Sequence, residues 1–217
     1  TAFDRTCYLF SCTDRFEENL EILLKFVFTP YFTEENVAKE RGIIGQEIGM
    51  MDDTPGWQAM VGLYEGLYRE HPVRVSIAGS VESIAAITPE TLYTCHRAFY
   101  SSKNMALVVC GTADFEEICR MAAQFSPQDA PEIGERHYGT RREAVNELLV
   151  TRKMQVSQPQ FLIGFKDDPV QPGESRLRRS LLGELAVRIL CGDTAPLYAE
   201  LYETRLIGRD FDTDYSL

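Results

Sequence analysis

The sequence predicts an α+β fold, and three features of the chain carry this prediction. Short apolar runs of strand length recur along it, and segments with helix-start signals and helical periodicity lie between them. A stretch rich in proline, glycine and charge, residues 126–142, then interrupts the pattern, which restarts beyond it. We therefore expect one domain over residues 1–126, a linker over 127–142 and the first part of a second, related domain over 143–217.

The predicted strands are apolar runs bounded by turn residues. The clearest is NMALVVCG at residues 104–111, which is continuously apolar and typical of a central strand covered on both faces. Others are predicted at 2–12, 148–156 and 160–165, with a further one starting at Phe211.

The predicted helices start at residues that favour N-caps. The longest follows Thr33, with acidic residues in its first turn, and is interrupted near Pro55, which restricts Thr54 and cannot donate a hydrogen bond. It then resumes to about Glu70. Further caps are expected at Thr13-Asp14, Ser80, Thr88 and Asp114, and two later helices at 174–191 and 196–205.

Composition and charge restrict the classes of function. Of 217 residues, 44% are hydrophobic and 11% aromatic, which is enough to form a core. The formal net charge of -11 argues against a nucleic-acid binder and against a polybasic membrane patch. No apolar run approaches the roughly 18 residues that a membrane-spanning helix needs. We therefore expect neither nucleic acid nor membrane as a partner.

The cysteines and the chain ends bear on location and completeness. None of the six cysteines forms a C-x-x-C pair and most lie in apolar patterns, so we expect buried, reduced thiols and a cytoplasmic protein. A disulfide framework is the alternative. The chain lacks an initiator methionine, begins inside a predicted strand and stops as another begins. We expect a piece of a longer protein.

Two carboxylates in the long predicted helix stand out as candidate functional groups. Glu40 and Glu47 are seven residues apart, which places them on one side of a helix about 10.5 Å apart along its axis. Ile43 and Ile44 lie between them and indicate a partly buried face, where a carboxylate needs a partner. Either Glu40 pairs with Lys39, Arg41 or a neighbouring element, or Glu47 binds a metal with Glu40 as a nearby supporting acid.

The histidines do not complete a metal site. His71, His96 and His137 have no spacing that a helix or turn would convert into a ligand pair, and neither H-E-x-x-H nor H-x-x-E-H occurs. Nucleophile-elbow, phosphate-loop and dinucleotide motifs are also absent. Any zinc bound through Glu47 would need ligands from elsewhere.

Four motifs occur together in a distinctive order. They are E-R-x-x-x-x-x-E-I-x-M, an H-P loop leading to I-x-G, an I-T-x-x-x-L helix and F-Y-x-x-x-N-M-x-L-x-x-x-G. In these motifs the chain resembles the pitrilysin, insulinase and mitochondrial-processing-peptidase family of inverted-motif zinc proteases, and particularly its bacterial members. The resemblance covers most of the chain and is strongest over residues 6–111.

The resemblance implies a fold and a site. The fold would be a mixed, largely antiparallel sheet covered by helices, as in LuxS- and processing-peptidase-like domains, incomplete here and followed by the start of a second similar domain. In the family an H-x-x-E-H helix supplies two histidine ligands and a base, and a glutamate from a later helix is the third ligand. Glu47 matches that glutamate and Glu40 matches a supporting acid, whereas the H-x-x-E-H segment would lie before Thr1.

The resemblance also implies a substrate-binding edge strand that accepts extended peptide by β-augmentation. The positions that match its start are Thr1, Ala2, Phe3, Asp4, Arg5 and Thr6. The expected function is therefore that of a piece of a zinc metalloendopeptidase, itself inactive and binding no zinc alone. The alternative is a non-catalytic interaction or substrate-binding subunit of a two-subunit processing protease. A homodimer or a heterodimer with another family member is a further expectation.

Overall fold

The computed structural model describes residues 1–125, 134–135, 137–139, 144–171 and 173–217. Most of the predicted linker, 127–142, therefore lies outside the described residues. In the described part the regular elements are eight α-helices and two 3₁₀ turns, Pro72–Arg74 and Ser102–Asn104. The helices are α1 (Phe16–Phe28), α2 (Glu34–Asp52), α3 (Pro55–Leu67), α4 (Val81–Ala85), α5 (Pro89–Phe99), α6 (Phe115–Phe125), α7 (Arg176–Cys191) and α8 (Pro196–Glu203).

The prediction of an α+β fold with a mixed, largely antiparallel sheet is wrong for this structure. No strand occurs among the described residues, and the runs predicted as strands have no regular secondary structure. In the run predicted to be doubly covered, 104–111, the side chain of Val108 is 85% exposed. A strand requires a neighbouring segment that pairs with its backbone groups. Here the described backbone bonds outside helices close turns and helix ends, except two that Asn146 and Glu147 donate to Gly66.

The chain divides into two compact units, Thr1–Gly164 and Phe165–Leu217. In the first, α2 packs against α3 and α4, and α1 packs against α6. Its buried apolar side chains come mainly from α1, α2 and α4 and are Leu20, Leu24, Val27, Val37, Ile48 and Ile84. In the second, α7 packs against α8, and Ala195 is buried where α8 begins.

Most of the expected helix ends are confirmed. Thr33 and Asn36 form a reciprocal capping box at the start of α2, and Ser80 and Ser83 form another at α4. Pro55 separates α2 from α3 and occupies the first turn of α3. The prediction for α1 is wrong, because its N-cap is Arg15, whose φ is 52° and which forms no side-chain cap bond.

Two glycines of α3 allow an extended segment to lie directly on the helix. A Cβ on Gly66 would come within 3.2 Å of the Glu147 carbonyl oxygen, and one on Gly62 within 3.4 Å of Val150. Both glycines are buried. The Gly66 carbonyl accepts two backbone bonds of 2.9 Å, from Asn146 and Glu147. The four-residue spacing of the glycines therefore serves close packing.

The cysteines differ from the prediction in their burial. All six are free, five are exposed, and Cys191 is half-buried. The expectation of buried thiols was based on their apolar sequence neighbours, which are themselves exposed in several of these segments. Among the helices of the described residues, none is long and apolar enough to cross a membrane.

Candidate functional site

Glu40 and Glu47 lie on the solvent-facing side of α2. Both are exposed, and Ile43 and Ile44 between them are 41% and 37% exposed. The two isoleucines are therefore partly covered, as the sequence predicts for this face, whereas the two carboxylates lie in solvent. The fully buried stripe of the helix is at Val37 and Ile48, which are eleven residues apart and so lie about 20° from each other around the axis.

The cations considered as partners of Glu40 do not bind it. Arg41 turns to the end of α4, where its Nη1 donates to the Ala85 carbonyl at 2.9 Å and the Ile87 carbonyl at 3.5 Å. Within the described part of the chain, Glu40 and Glu47 form no hydrogen bond or ion pair with another residue. Their oxygens are thus open to a ligand from solvent.

The histidines have structural contacts away from these carboxylates. Nδ1 of His71 accepts a 3.1 Å bond from the Val73 amide, and its ring contacts those of Tyr68 and Tyr138. Nε2 of His96 lies 2.9 Å from the Val27 carbonyl, which can only accept, so this nitrogen is the donor. His137 is exposed.

The residues that the structure describes do not include a complete metal-binding set. Among the described residues, no group of three or more histidine, cysteine, aspartate or glutamate side chains could hold a metal ion. A carboxylate on a well-anchored helix is nevertheless a suitable single zinc ligand. The exposed Glu47 is suited to be such a single ligand, and the other ligands would have to come from outside the described residues.

Thr1–Thr6, predicted as the substrate edge, is exposed along its length. The Ala2 amide donates to the Arg5 carbonyl at 2.8 Å, so the segment contains a turn. The Phe3 ring contacts Tyr64 edge-to-face, with centroids 5.7 Å apart, and this contact ties the segment to α3. Its role towards substrate stays a prediction.

A hydrogen-bonded tyrosine pair fixes the next part of the N-terminal segment. The hydroxyls of Tyr8 and Tyr100 are 2.6 Å apart, and the Tyr100 ring stacks on His96 at 4.5 Å. Burial, together with the bond to Tyr8, raises the pKa of Tyr100 to about 12. Tyr100 therefore acts as a neutral packing residue.

Two arginines with distinctive surroundings were missed by sequence reasoning. Arg152 bonds to Gln58 and, at 2.6 Å, to Glu65, and so fastens an extended segment to α3. Arg74, in the first 3₁₀ turn, has a buried Nε that finds no hydrogen-bond partner among the described residues. No sequence pattern predicts the surroundings of either arginine, because the residues around each come from distant parts of the chain.

A third arginine organises the second unit. Arg179 of α7 bonds to both oxygens of Asp167, at 2.8 and 3.2 Å, and to Glu174 at 3.1 Å. The Tyr215 hydroxyl adds a 2.6 Å bond to Asp167. The bond from Arg179, with that from Tyr215, lowers the pKa of Asp167 to about 2. The cluster is structural and contains no open carboxylate pair.

The chain is similar in sequence to proteins of a known peptidase family. Residues 1–81 match the family model described as insulinase (peptidase family M16), and residues 86–216 match that of the peptidase M16 inactive domain. The uncharacterized zinc protease YmfH of Bacillus subtilis is 42% identical over 221 residues, which cover 100% of this chain and 51% of the relative. The uncharacterized zinc protease ML0855 of Mycobacterium leprae is 26% identical, covering 94% and 46%.

Two solved structures are also similar to this chain. An M16-like peptidase from Alicyclobacillus acidocaldarius superposes with a TM-score of 0.80 at 33% identity, covering 94% of this chain and 49% of that one. A peptidase M16 inactive domain from Pseudomonas fluorescens, at 23% identity and a TM-score of 0.53 over 61% of this chain, is similar in fold alone. The chain spans about half the length of the curated relatives that it matches over its whole extent.

Proposed function

The chain belongs to the M16 peptidase family, and on this premise we propose that it is part of a zinc-dependent peptidase in which Glu47 is a metal ligand. The observation that carries the proposal is the accessibility of the Glu47 carboxylate. It is exposed on α2, and within the described residues no cation or donor holds its carboxylate.

The helix that presents Glu47 is anchored at several points. The Thr33 capping box fixes its start, Val37 and Ile48 are buried, and Arg41 bonds to the end of α4. A ligand on such a helix loses little conformational freedom when it binds a metal. Glu40 lies two turns away on the same side of α2. Its carboxylate would add negative charge near the metal and would accept a hydrogen bond from a group that orients the other metal ligands.

Zinc, when bound, would lower the pKa of a coordinated water to roughly 7 and polarise a peptide carbonyl. We expect the two imidazole ligands and the base to come from outside the described residues. The isolated chain is therefore expected to be inactive and to retain no stoichiometric zinc. The exposed backbone of Thr1–Thr6 would align an extended peptide substrate. A cytoplasmic location, proposed from six free thiols, belongs to the same hypothesis.

The role of Glu47 is tested in a chimera in which this chain replaces the matching half of the Bacillus subtilis relative. Zinc content is measured by mass spectrometry after dialysis. We expect Glu47→Gln to abolish zinc retention, because a ligand is removed. Glu40→Gln should weaken zinc affinity roughly 10- to 100-fold, the usual effect of losing a group that supports a ligand.

Glu35→Gln is the matched control, since Glu35 is an exposed carboxylate in the first turn of the same helix. It should leave zinc content unchanged. Full zinc retention by the Glu47→Gln chimera would exclude Glu47 as a ligand. One zinc per chain retained by the isolated 217 residues would contradict the expected need for outside ligands.

A second candidate function is that of a non-catalytic subunit or domain that binds substrate or an active partner. The match of residues 86–216 to the inactive-domain model favours it. Such a subunit could form a homodimer or a heterodimer with another M16 protein. A chimera that binds no zinc, and that stimulates peptide cleavage only when mixed with an active M16 peptidase, would support this function over the first.

A further inference from the structure

An apolar stripe, the α7 stripe, runs along one side of α7 in the second unit. Four of its side chains follow one another at four-residue steps and a fifth lies beside them; they are Leu177, Leu181, Leu185, Ile189 and Leu182. At 100° per residue they occupy about 140° of the helix circumference and about 18 Å of its length. Each of the five is between 50% and 72% exposed. Gly183, which lies against the Tyr215 ring, is on the opposite, half-buried side of the helix.

The width of the α7 stripe is typical of a helix face that packs against another element. Apolar arcs of roughly 100° or more normally face a core. A contiguous exposed apolar patch commonly marks an interaction site. The second unit leaves all five of these side chains at least half exposed. The stripe therefore indicates a docking surface rather than a solvated helix face.

Two arginines within the α7 stripe determine which partner fits it. Arg178 and Arg188 lie about 100° and 20° around the axis from Leu177, which is inside the arc of the apolar side chains. Both are exposed, and among the described residues neither guanidinium has a hydrogen bond or an ion pair. Glu184, one turn before Arg188, instead accepts a 3.1 Å bond from Ser180. A partner would therefore meet an apolar surface that carries two positive charges available for pairing.

The charges of the second unit argue against two other occupants of the α7 stripe. The helix contains four arginines and one glutamate, so pairing it with α7 of a second copy would bring like charges together. An anionic lipid surface would attract the two arginines but repel the unit around them. Residues 165–217 contain seven basic and ten acidic side chains, which give a net charge of -3.

We propose that the α7 stripe is the docking surface for an acidic amphipathic helix of a partner protein. Aliphatic side chains of the partner would pack into the row at four-residue spacing, an arrangement that favours a crossing angle of about -50° between the helices. Its carboxylates would pair with Arg178 and Arg188, which are about 15 Å apart along the axis. Two carboxylates about three turns apart on the partner helix match this separation.

The inference rests on the second candidate function only in that both assign a binding role to this part of the chain. The helix α7 lies within residues 86–216, which match the model of the peptidase M16 inactive domain. The exposed leucines and the two arginines carry the rest of the argument. Glu47 has no part in it, so docking at α7 and zinc binding at Glu47 can fail separately.

The test measures the binding of two synthetic peptides to the whole 217-residue chain by fluorescence anisotropy, without added metal. Both peptides are amphipathic helices of about 18 residues with leucines at four-residue steps. One has glutamates beside the leucines and the other has lysines there, which have a similar helix propensity. We expect the glutamate peptide to bind at least about tenfold more tightly, because it pairs with Arg178 and Arg188. This preference should fall in about 1 M salt, which screens exposed charges.

A double variant tests the charges of the α7 stripe. Arg178→Gln combined with Arg188→Gln should remove the preference for the glutamate peptide, because both positive charges are lost. Lys39→Gln combined with Arg69→Gln is the control, since these exposed residues of the first unit change the net charge equally. The control variant should keep the preference of the parent.

A single variant tests the apolar contact. Leu181→Gln should weaken binding of the glutamate peptide at least about tenfold, because docking would bury a polar amide without a partner. Leu206→Gln is the control, since Leu206 is 65% exposed in the same unit but lies outside α7. Thermal unfolding checks that each variant folds, and the arginine variant tests the inference independently of Leu181.

Four results would overturn the inference. Two are equal binding of the glutamate and lysine peptides and an unchanged preference in the double arginine variant. The third is tighter binding of vesicles that contain phosphatidylserine than of the glutamate peptide, which would assign the stripe to a lipid surface. The fourth is self-association that Leu181→Gln abolishes while neither peptide binds, which would assign the stripe to a second copy of the chain.

Discussion

Asp167 illustrates how single residues set the properties of the second unit. Its carboxylate receives bonds from Arg179 and Tyr215, and the Tyr215 ring lies directly on α7 at Gly183. A Cβ at Gly183 would lie far inside van der Waals contact with that ring. The absence of a side chain at one position therefore allows Tyr215 to reach the carboxylate that Arg179 holds.

The pKa of Asp167 leads to a prediction about acid stability. The folded value of about 2 lies below the roughly 3.9 of an unfolded aspartate. The charged form therefore stabilises the fold above pH 4, and this contribution is lost as the pH falls from about 4 towards 2. Asp167→Asn should flatten that part of the stability profile, measured by urea unfolding followed by circular dichroism.

The control for this experiment is Asp193→Asn, an exposed carboxylate just after α7. The control should keep the slope of the parent between pH 4 and 2. The effect should also shrink in 1 M salt, because the Asp167 side chain is 43% exposed and the ion pair is screened. An identical slope in Asp167→Asn and the parent would contradict the assignment.

At the scale of elements, α2 determines where the candidate metal ligand lies. Its start depends on two reciprocal bonds, from the Asn36 amide to Thr33 at 3.2 Å and from the Thr33 amide to Asn36 at 2.9 Å. Its end is set by Pro55, two residues beyond Asp53. Glu40 and Glu47 therefore occupy an anchored helix rather than a loop, although their own faces are exposed.

Removing the cap of α2 should destabilise the first unit. We expect Thr33→Ala to lower the free energy of unfolding by about 1 kcal/mol, because the Asn36 amide loses its acceptor. Thr13→Ala is the matched control, since Thr13 is exposed and α1 begins after Arg15 without a side-chain cap. Urea unfolding of both variants checks this, and equal losses would contradict it.

At the scale of the molecule, large apolar side chains are exposed outside the helices. The side chains of Leu148, Phe165 and Val108 are 98%, 90% and 85% exposed. They lie in segments that have unpaired backbone groups in the described structure. Such segments favour association with other chains, since both their side chains and their backbone groups can gain contacts.

We expect the isolated chain to self-associate as its concentration rises, measured by analytical ultracentrifugation. Val108→Lys should shift this association to higher concentration, because it places a charge in an exposed apolar run. Gln160→Lys is the control, as it makes the same charge change at an exposed polar position. A strictly monomeric parent, or equal effects of both substitutions, would argue against association through the apolar run.

The sequence by itself determined the family and most helix ends. The family motifs are read directly from residue order, and the caps at Thr33, Ser80 and Thr88 and the break at Pro55 obey rules that act within about four residues. The α1 start was the exception, because Arg15 takes a left-handed conformation that Thr13 and Asp14 do not signal. The roles of Glu40 and Glu47 as metal ligand and support stay predictions.

Only the tertiary structure decided which surfaces are buried and which polar groups meet. Apolar runs such as residues 104–111 indicate hydrophobicity, but strand pairing depends on a distant segment that the run does not encode. The exposure of Glu47, the bonds of Arg41 to α4 and the unpaired Nε of Arg74 likewise depend on contacts across the fold. The residues that form a local hydrogen bond are close together in the sequence, whereas the burial of a side chain depends on how the whole chain packs.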